Sequence, residues 1–449
     1  MVDSLAVPEA DIRRACGDIE FPAMGVIEQV WDVDPIPDGD IEASAARAVT
    51  DLDFEGVPEG GEVAVGAGSR GIANLPTIVR GVVRGVREQG YAPFVFPAMG
   101  SHGGATAAGQ RDKLATLGVT EEAVGCVIRA TMDVVEIGRT PDRDVPVYAD
   151  AYATEADAIV LVNRIKPHTD FSGEVESGLS KMLVIGMGKQ RGAKTAHDWA
   201  VDWSLRNMLP EITERLLAEL PVAGGVAIVE DEHDDTTLLE GVPPTDFLDR
   251  ETELLEMAWE RMPKLPFDEL DVVVVDQLGK DVSGQGMDTN VTGRRHFTIN
   301  EPEPESPEIK RIYLRGYTAK TEGNAMGMGQ ADVAHADVLE GLDWSKSLIN
   351  AITASTVRGV RLPPVVETDR AGLLAALGTI GPVPGEAARL LRVTDTMRLK
   401  RCYASTALVE AARERADLRV VSEPQPIEFD GEGEFVAPPP DGASNSPHG

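Results

Sequence analysis

The sequence of 449 residues has few cysteines and no long apolar run. Its three cysteines, Cys16, Cys126 and Cys402, are far apart and form no CxxC pair, which argues against a disulfide framework and a thiolate metal site. No apolar stretch approaches the roughly 20 residues that cross a bilayer, and no basic segment leads into an apolar run at the N-terminus. We therefore expect a cytoplasmic protein in a reducing compartment, with no membrane partner.

Positive charge is also scarce, because 42 lysines and arginines stand against 75 aspartates and glutamates, and the formal net charge is −33. Such a chain repels nucleic acids, so no nucleic-acid partner is expected. Because 42% of the residues are hydrophobic and they recur at regular intervals, we expect a folded chain. The excess carboxylates are then expected at the surface, which would be salt-adapted and halophilic. Only 11 residues are lysine, and four of them lie between residues 163 and 197: Lys166, Lys181, Lys189 and Lys194. That segment is a candidate for chemistry that a carboxylate cannot perform.

Apolar runs alternate with helical patterns over most of the chain, which predicts an α/β fold with two domains. Residues 1–264 are predicted to form an N-terminal domain with a mostly parallel sheet and helices on both faces. The strand pattern "DVVVVDQ" opens a smaller α/β C-terminal domain over residues 265–420, and the active site is expected in the cleft between the domains. Residues 421–449, rich in Pro, Gly and acid, are predicted to be a disordered tail.

Polar loops follow three predicted strands of the first domain. They contain Ser69 and Arg70, then Ser101 and His102, then Lys166, His168 and Asp170. In open α/β sheets ligands collect at the carboxyl ends of the strands, so these loops are predicted to share one site. Histidine can exchange a proton near neutral pH, and arginine binds a carboxylate as a fork. His335, in contrast, has no comparable pattern around it.

The segment "SGLSKMLVIGMGKQRGAKTAH" resembles the nickel-dependent lactate racemase family, in which an SGGxK-like motif is followed at a fixed interval by a histidine. Here Lys181 follows Ser177 and Gly178, and His197 lies sixteen residues after the lysine (197 − 181). The "GSR", "GSH" and "KPHTDF" loops occur in the family's order, so the resemblance covers most of the first domain. Leu179 stands at one of the motif glycines, and the chain looks like a divergent, racemase-like branch, here from a halophile.

The resemblance implies a cofactor, the nickel-pincer nucleotide, which is pyridinium-3,5-bisthiocarboxylic acid mononucleotide carrying nickel. By this resemblance Lys181 forms the covalent link, with Ser177 and Gly178 in the cofactor-binding motif. His197 would be the protein ligand that completes the square-planar set of nickel. Lys189 and Lys194 are expected to be phosphate or surface contacts. Enzymes that mature the cofactor are the expected protein partners.

The resemblance also implies the residues that meet the substrate. His102 and His168 would be the opposed proton acceptor and donor, Arg70 would bind the substrate carboxylate, and Lys280 would close over it. The expected activity is racemisation or epimerisation of a 2-hydroxy acid, a small hydroxycarboxylate, by hydride transfer to and from the cofactor.

Two other functions stay open on the sequence. A metal-dependent hydrolase or lyase could use His102, His168 and Asp170 as ligands. A non-catalytic protein of the same fold could bind a carboxylate or carry the cofactor. The sequence specifies neither the 2-hydroxy acid nor the oligomeric state.

Overall fold

A computed structural model of the chain describes residues 5–68, 71–295 and 300–441. The chain divides into two compact units, which we name the central unit, Val33–Met262, and the terminal unit, Met1–Asp32 together with Pro263–Gly449. The boundary after Met262 lies close to the predicted one. Residues 1–32, which were predicted to belong to the N-terminal domain, group instead with the C-terminal part of the chain.

Strands and helices alternate along most of the chain, and the fold is α/β as predicted. The strands are β1 (Ala6–Val7), β2 (Met24–Gln29), β3 (Glu62–Ala67), β4 (Ala92–Pro97), β5 (Val134–Arg139), β6 (Pro146–Asp150), β7 (Ala158–Arg164), β8 (Val222–Glu230), β9 (Thr236–Val242), β10 (Glu269–Val275), β11 (Glu308–Leu314), β12 (Val333–His335), β13 (Val365–Val366), β14 (Leu390–Val393), β15 (Arg401–Ser405) and β16 (Leu418–Val420). The helices are α1 (Glu9–Cys16), α2 (Ile41–Ala48), α3 (Leu75–Glu88), α4 (Ala107–Thr116), α5 (Glu121–Val124), α6 (Ala151–Glu155), α7 (Leu179–Lys181), α8 (Lys189–Trp203), α9 (Leu205–Glu219), α10 (Phe247–Arg261), α11 (Thr289–Thr292), α12 (Trp344–Thr353), α13 (Asp369–Leu377) and α14 (Thr406–Arg413). None of the described helices combines the length and the apolar character that a membrane crossing requires.

The central unit is built around a sheet with the strand order β4-β3-β7-β8-β9. The first four strands are parallel, and β9 pairs antiparallel with β8. Alternate residues enter two separate cores, so that Ala64 and Leu161 pack on one face while Val63 and Val160 pack on the other. Helices α9 and α10 cover the first face, and α2 and α3 cover the second. A sheet buried on both faces explains why its four parallel strands are largely apolar.

The terminal unit contains a second sheet with the strand order β1-β13-β12-β11-β10-β14-β15-β2-β16. The strands from β1 to β14 in this order are parallel, and β15, β2 and β16 complete the sheet in antiparallel pairs. Strand β2 lies between β15 and β16, with Ile27 opposite Cys402. This pairing, across more than 370 residues of sequence, places the N-terminal residues in the terminal unit.

The C-terminal segment packs on the terminal unit over its described residues, contrary to the predicted disordered tail. Residues 428–436 form what we name the C-terminal hairpin, closed by a bridge between Phe429 and Phe435. Phe429 lies 5.5 Å from Phe21 between ring centroids, and the Phe435 N–H donates to Asp369 Oδ2 at 2.9 Å. Residues 442–449 of the predicted tail lie outside the described residues.

Candidate functional site

The candidate site lies at the carboxyl edge of the central sheet. Strand β3 pairs with β4 on one side and with β7 on the other, and all three are parallel. The loops that follow β4 and β7, which carry His102 and His168, therefore leave the sheet at the same edge, on either side of the loop after β3. Ser69 and Arg70, predicted in that middle loop, lie outside the described residues. The predicted common edge is thus present, and the roles of these residues stay predictions.

His102 is exposed, and its ring is oriented by its own loop. Its Nδ1 lies 3.0 Å from the carbonyl oxygen of Met99. A carbonyl oxygen can only accept a hydrogen bond, so Nδ1 carries the proton and donates it. The neutral imidazole therefore has its lone pair on Nε2, which is the state of a proton acceptor.

His168 has the opposite arrangement. The backbone N–H of Asp170 donates to its Nδ1 at 3.0 Å, so Nδ1 bears the lone pair and Nε2 carries the proton. The ring stacks on Phe171 with centroids 4.5 Å apart. The backbone N–H of His168 donates to the buried Glu176 at 2.5 Å. The two loop histidines therefore present one acceptor and one donor at Nε2.

A buried ionic network holds the loop of His102. Lys189 is fully buried, and its Nζ lies 2.7 Å from Asp150 Oδ2. The same ammonium donates to the last carbonyl of β4 and to Gln110 Oε1, and Gln110 Nε2 donates to the carbonyl of Gly100 at 2.8 Å. Burial lowers the pKa of Lys189, and the Asp150 carboxylate opposes that effect. Lys189 is therefore a buried cation whose hydrogen bonds hold this loop against β4, and not the predicted phosphate or surface contact.

Lys181 and His197 share one electrostatic environment. Helix α7 ends at the half-buried Lys181 and continues through a π-helical turn, Met182–Gly186, before α8 carries His197. Burial lowers the pKa of His197, and so does the Lys181 ammonium, whereas Asp170 and Asp198 raise it. The N–H of Gly100, in the His102 loop, donates to the carbonyl of Gly186 at 3.0 Å. The structure thus connects the lysine turn with both histidine loops.

Lys194, on the same helix as His197, lies at the surface. Its ammonium pairs with Asp198 at 2.5 Å, one helical turn further on. This pair fits the surface role that the sequence predicts for Lys194.

The motif around Lys181 is shaped by a carboxylate from another helix. Glu251, on α10, is fully buried and accepts from Ser180 N at 2.8 Å and from Ser180 Oγ at 2.7 Å. A Cβ atom on Gly178 would lie 2.0 Å from Glu251 Oε1, so any side chain there would have to displace the buried Glu251 carboxylate. Ser177 exchanges both of its backbone hydrogen bonds with Lys166, at 2.8 and 3.2 Å. Gly178 therefore has a structural reason for its identity beside the predicted cofactor contact, whereas the backbone bonds of Ser177 do not depend on its side chain.

Sequence reasoning missed Glu251 although a signal was present. The residue falls on the buried stripe of α10 together with Phe247, Leu254, Leu255 and Ala258. A carboxylate at an apolar position of a helical repeat has to be neutralised or hydrogen-bonded when the helix packs.

An ion pair joins the ends of β7 and β8 at the same edge. Arg164 pairs with the buried Glu230, whose other oxygen accepts the N–H of Ala73 at 2.7 Å. Burial raises the pKa of Glu230, and Arg164 opposes this. The pair fixes the start of the segment that leads into α3.

Lys280 lies in the terminal unit, in the loop after β10, where its Nζ donates to the carbonyl of Gly284 at 2.5 Å. Its predicted contact with substrate stays a prediction.

His335 also lies in the terminal unit, within a cluster that sequence reasoning missed. It forms, with Asp369 and Glu434, a group of three possible metal ligands whose donor atoms lie within 4.8 Å of one another. The Asp369 oxygens already accept from Arg315 Nε and Nη2, both at 2.6 Å, and from the Tyr313 hydroxyl at 2.9 Å. A cation would have to displace the Arg315 guanidinium, so the cluster is better described as a hydrogen-bonded ion network.

His102, His168 and Asp170, the ligand set of the hydrolase alternative, do not form a comparable group of possible metal ligands in the described part of the chain.

Comparisons with known proteins leave the family open. No protein-family model matches the sequence, and no curated protein matches it. Among solved structures, the chain is similar to the lactate racemase apoprotein from Thermoanaerobacterium thermosaccharolyticum, with 14% identity and a TM-score of 0.41. The similarity covers 88% of this chain and 97% of that one. At this identity and TM-score it carries no argument about activity.

Proposed function

We propose that this chain is a racemase or epimerase of a 2-hydroxy acid. The observation that carries the proposal is the opposite state of Nε2 in His102 and His168, on two loops at one edge of the central sheet. Inversion at a hydroxyl-bearing carbon requires a proton acceptor for one enantiomer and a proton donor for the return to the other. A dehydrogenase that releases the keto acid would need only one such histidine.

The two histidines would act unequally. His102 Nε2 would take the hydroxyl proton of the substrate, and the Met99 carbonyl would stabilise the resulting imidazolium through Nδ1–H. His168 would first donate a hydrogen bond from Nε2–H to the substrate oxygen. To act as a full acid it needs a second proton on Nδ1, which would displace the Asp170 N–H.

The residues around Lys181 fit the cofactor that the sequence resemblance implies. Burial and the Lys181 ammonium favour the neutral form of His197, which is the form that ligates a metal. Lys181 would hold the nickel-pincer nucleotide covalently, and His197 would bind its nickel. When bound, the nucleotide would supply a ring carbon that accepts and returns a hydride.

The test separates Lys181 from His197 in protein made together with the enzymes that mature the cofactor. Lys181→Ala should lose any nucleotide-sized mass increment that survives denaturation. His197→Ala should keep the increment but retain less nickel, because its role is coordination only. Lys194→Ala is the matched control in the same segment, since that lysine pairs with Asp198 at the surface, and it should keep both increment and nickel.

The measurements are denaturing mass spectrometry with peptide mapping, metal quantification and chiral analysis of a panel of 2-hydroxy acids. An unmodified wild type under these conditions, or an increment that persists in Lys181→Ala, would contradict the cofactor assignment. Racemisation that survives His102→Gln at the wild-type rate would contradict the catalytic one, because loss of a general base typically costs about 10² to 10⁴ in rate.

A further inference from the structure

Helix α12 presents an apolar face to solvent in the terminal unit. Its exposed large side chains are Trp344 (47%), Leu348 (46%), Ile349 (65%) and Ile352 (59%), and Val357 (56%) follows the helix. At 3.6 residues per turn the four helical residues fall within an arc of about 140°. Ser347 and Ala351, which lie about 60° and 20° beyond Trp344 at the edge of this arc, are fully buried. The helix is thus anchored on one side and apolar on the side that faces water.

The same segment has no carboxylates, in a chain that is otherwise rich in them. About one residue in six is Asp or Glu across the 449 residues, yet none occurs from 344 to 366. The helix contains one charged residue, Lys346, whose ammonium pairs with Glu322 at 2.7 Å. Single exposed apolar residues are ordinary, but a contiguous apolar patch on a soluble protein usually marks an interaction surface.

We propose that α12 is the surface through which two copies of this chain associate, with the two helices packed against each other about a twofold axis. Two chains with a net charge of −33 repel each other wherever their carboxylates meet. That repulsion is weaker at α12, which carries no carboxylate and whose Lys346 pairs with the neighbouring Glu322, and a twofold axis brings the same patch of each copy together. Trp344 supplies an aromatic anchor of the kind that dominates binding energy at interfaces.

Salt dependence distinguishes this partner from an acidic one. Added salt screens the repulsion between two acidic chains, with a Debye length of about 3 Å at 1 M, so pairing of two α12 surfaces should strengthen. An acidic peptide or protein held by Lys346 and the following arginines would instead be released by salt.

The test is light scattering after size exclusion, over a concentration series in dilute buffer and in molar KCl. We expect wild type to shift in molar KCl from 48.0 kDa towards twice that mass. Ile349→Glu places a carboxylate on an exposed position, so it should leave the fold intact and keep the chain at the monomer mass. Val127→Glu, at a position 51% exposed in the central unit, is the matched control and should dimerise as wild type does.

A wild type that stays monomeric at every concentration and salt would overturn the proposal, and so would a dimer that survives Ile349→Glu. Oxidative footprinting of the α12 side chains covers the remaining case. Trp344 and Ile349 shielded from oxidation in the monomer would show that the chain covers its own apolar face, which also rejects association through it.

Discussion

At the scale of single residues, Glu251 stands out because a fully buried carboxylate is hydrogen-bonded through one oxygen. Oε2 accepts both bonds from Ser180, whereas Oε1 makes no well-aligned hydrogen bond within the described residues, and the backbone N–H of Leu179 is the further donor near the carboxylate. Burial raises the pKa of Glu251 to about 7, and the hydrogen bonds from Ser180 and from the backbone of Leu179 oppose the increase. The native state therefore binds the Glu251 proton more tightly than the unfolded chain does.

This pKa predicts a pH dependence of stability with a definite sign. The raised pKa of Glu251 adds to the free energy of unfolding in full below about pH 4.5, and this stabilisation is lost as the pH rises through about 7. The free energy of unfolding therefore falls by about 3 kcal/mol over that range. Glu251→Gln mimics the protonated form, so its free energy of unfolding should gain on wild type by about that amount between pH 5 and pH 8. Chemical denaturation at several pH values measures it. Glu256→Gln, on the exposed side of α10, is the control, and parallel curves for all three proteins would refute the prediction.

The loop histidines could be predicted from the sequence, because short apolar strands followed by polar loops indicate which residues reach the carboxyl edge of a parallel sheet. Which ring nitrogen carries the proton could not be predicted, since this depends on single backbone atoms of Met99 and Asp170. Lys189 could not be predicted as an internal cation either. In a sequence a charged residue is most simply placed at the surface, and only the packing reveals that Asp150 neutralises it.

At the scale of elements, the C-terminal hairpin shows how two aromatic residues can order an acidic segment. The ring of Phe435 lies 4.4 Å from the Arg392 guanidinium and 5.1 Å from that of Arg315. Arg392 Nη1 also donates to the carbonyl of Ala437 at 3.0 Å. Composition predicts disorder here because it averages over the segment, whereas the order comes from the contacts of Phe429 and Phe435 and of a few backbone atoms.

Phe435→Ala should destabilise the terminal unit by about 2 kcal/mol, because it removes a half-buried ring and its contacts with two guanidinium groups. The measurement is the midpoint of unfolding of that unit, together with limited proteolysis, in which cleavage within residues 421–441 should become faster. Val436→Ala, at the neighbouring exposed position, is the control and should behave as wild type. Equal cleavage rates for Phe435→Ala and wild type would mean that the ring does not hold the hairpin.

Strand β2 shows the limit of prediction at this scale. Its apolar alternation is visible locally, but its partners β15 and β16 lie almost 400 residues away. Glu28 links them, pairing with Arg401 at 3.1 Å and with Arg419 at 2.7 Å. Local periodicity predicts that a strand exists, but its neighbouring strands are known only from the assembled sheet. This is why residues 1–32 were predicted to belong to the N-terminal domain.

At the scale of the whole molecule, the net charge of −33 acts on both units. Arginine side chains offset part of it through surface pairs, such as Arg129 with Glu62 at 2.6 Å and Arg250 with Glu240 at 2.6 Å. Pairs of this kind contribute little each, and carboxylates outnumber the basic side chains by 33, so repulsion remains across the surface.

We therefore expect the chain to become more stable with added salt. The Debye length falls from about 30 Å at 0.01 M to about 3 Å at 1 M, so long-range repulsion in the compact state is removed over that range. The thermal midpoint should rise by several degrees between dilute buffer and molar KCl. The measurement is best made on Ile349→Glu, because salt-driven association of wild type would raise the midpoint as well. Sucrose at matched osmolality is the control, since it favours compact states without screening charge. An equal rise in sucrose, or an unchanged midpoint in KCl, would show that the excess of carboxylates does not limit the stability of this protein.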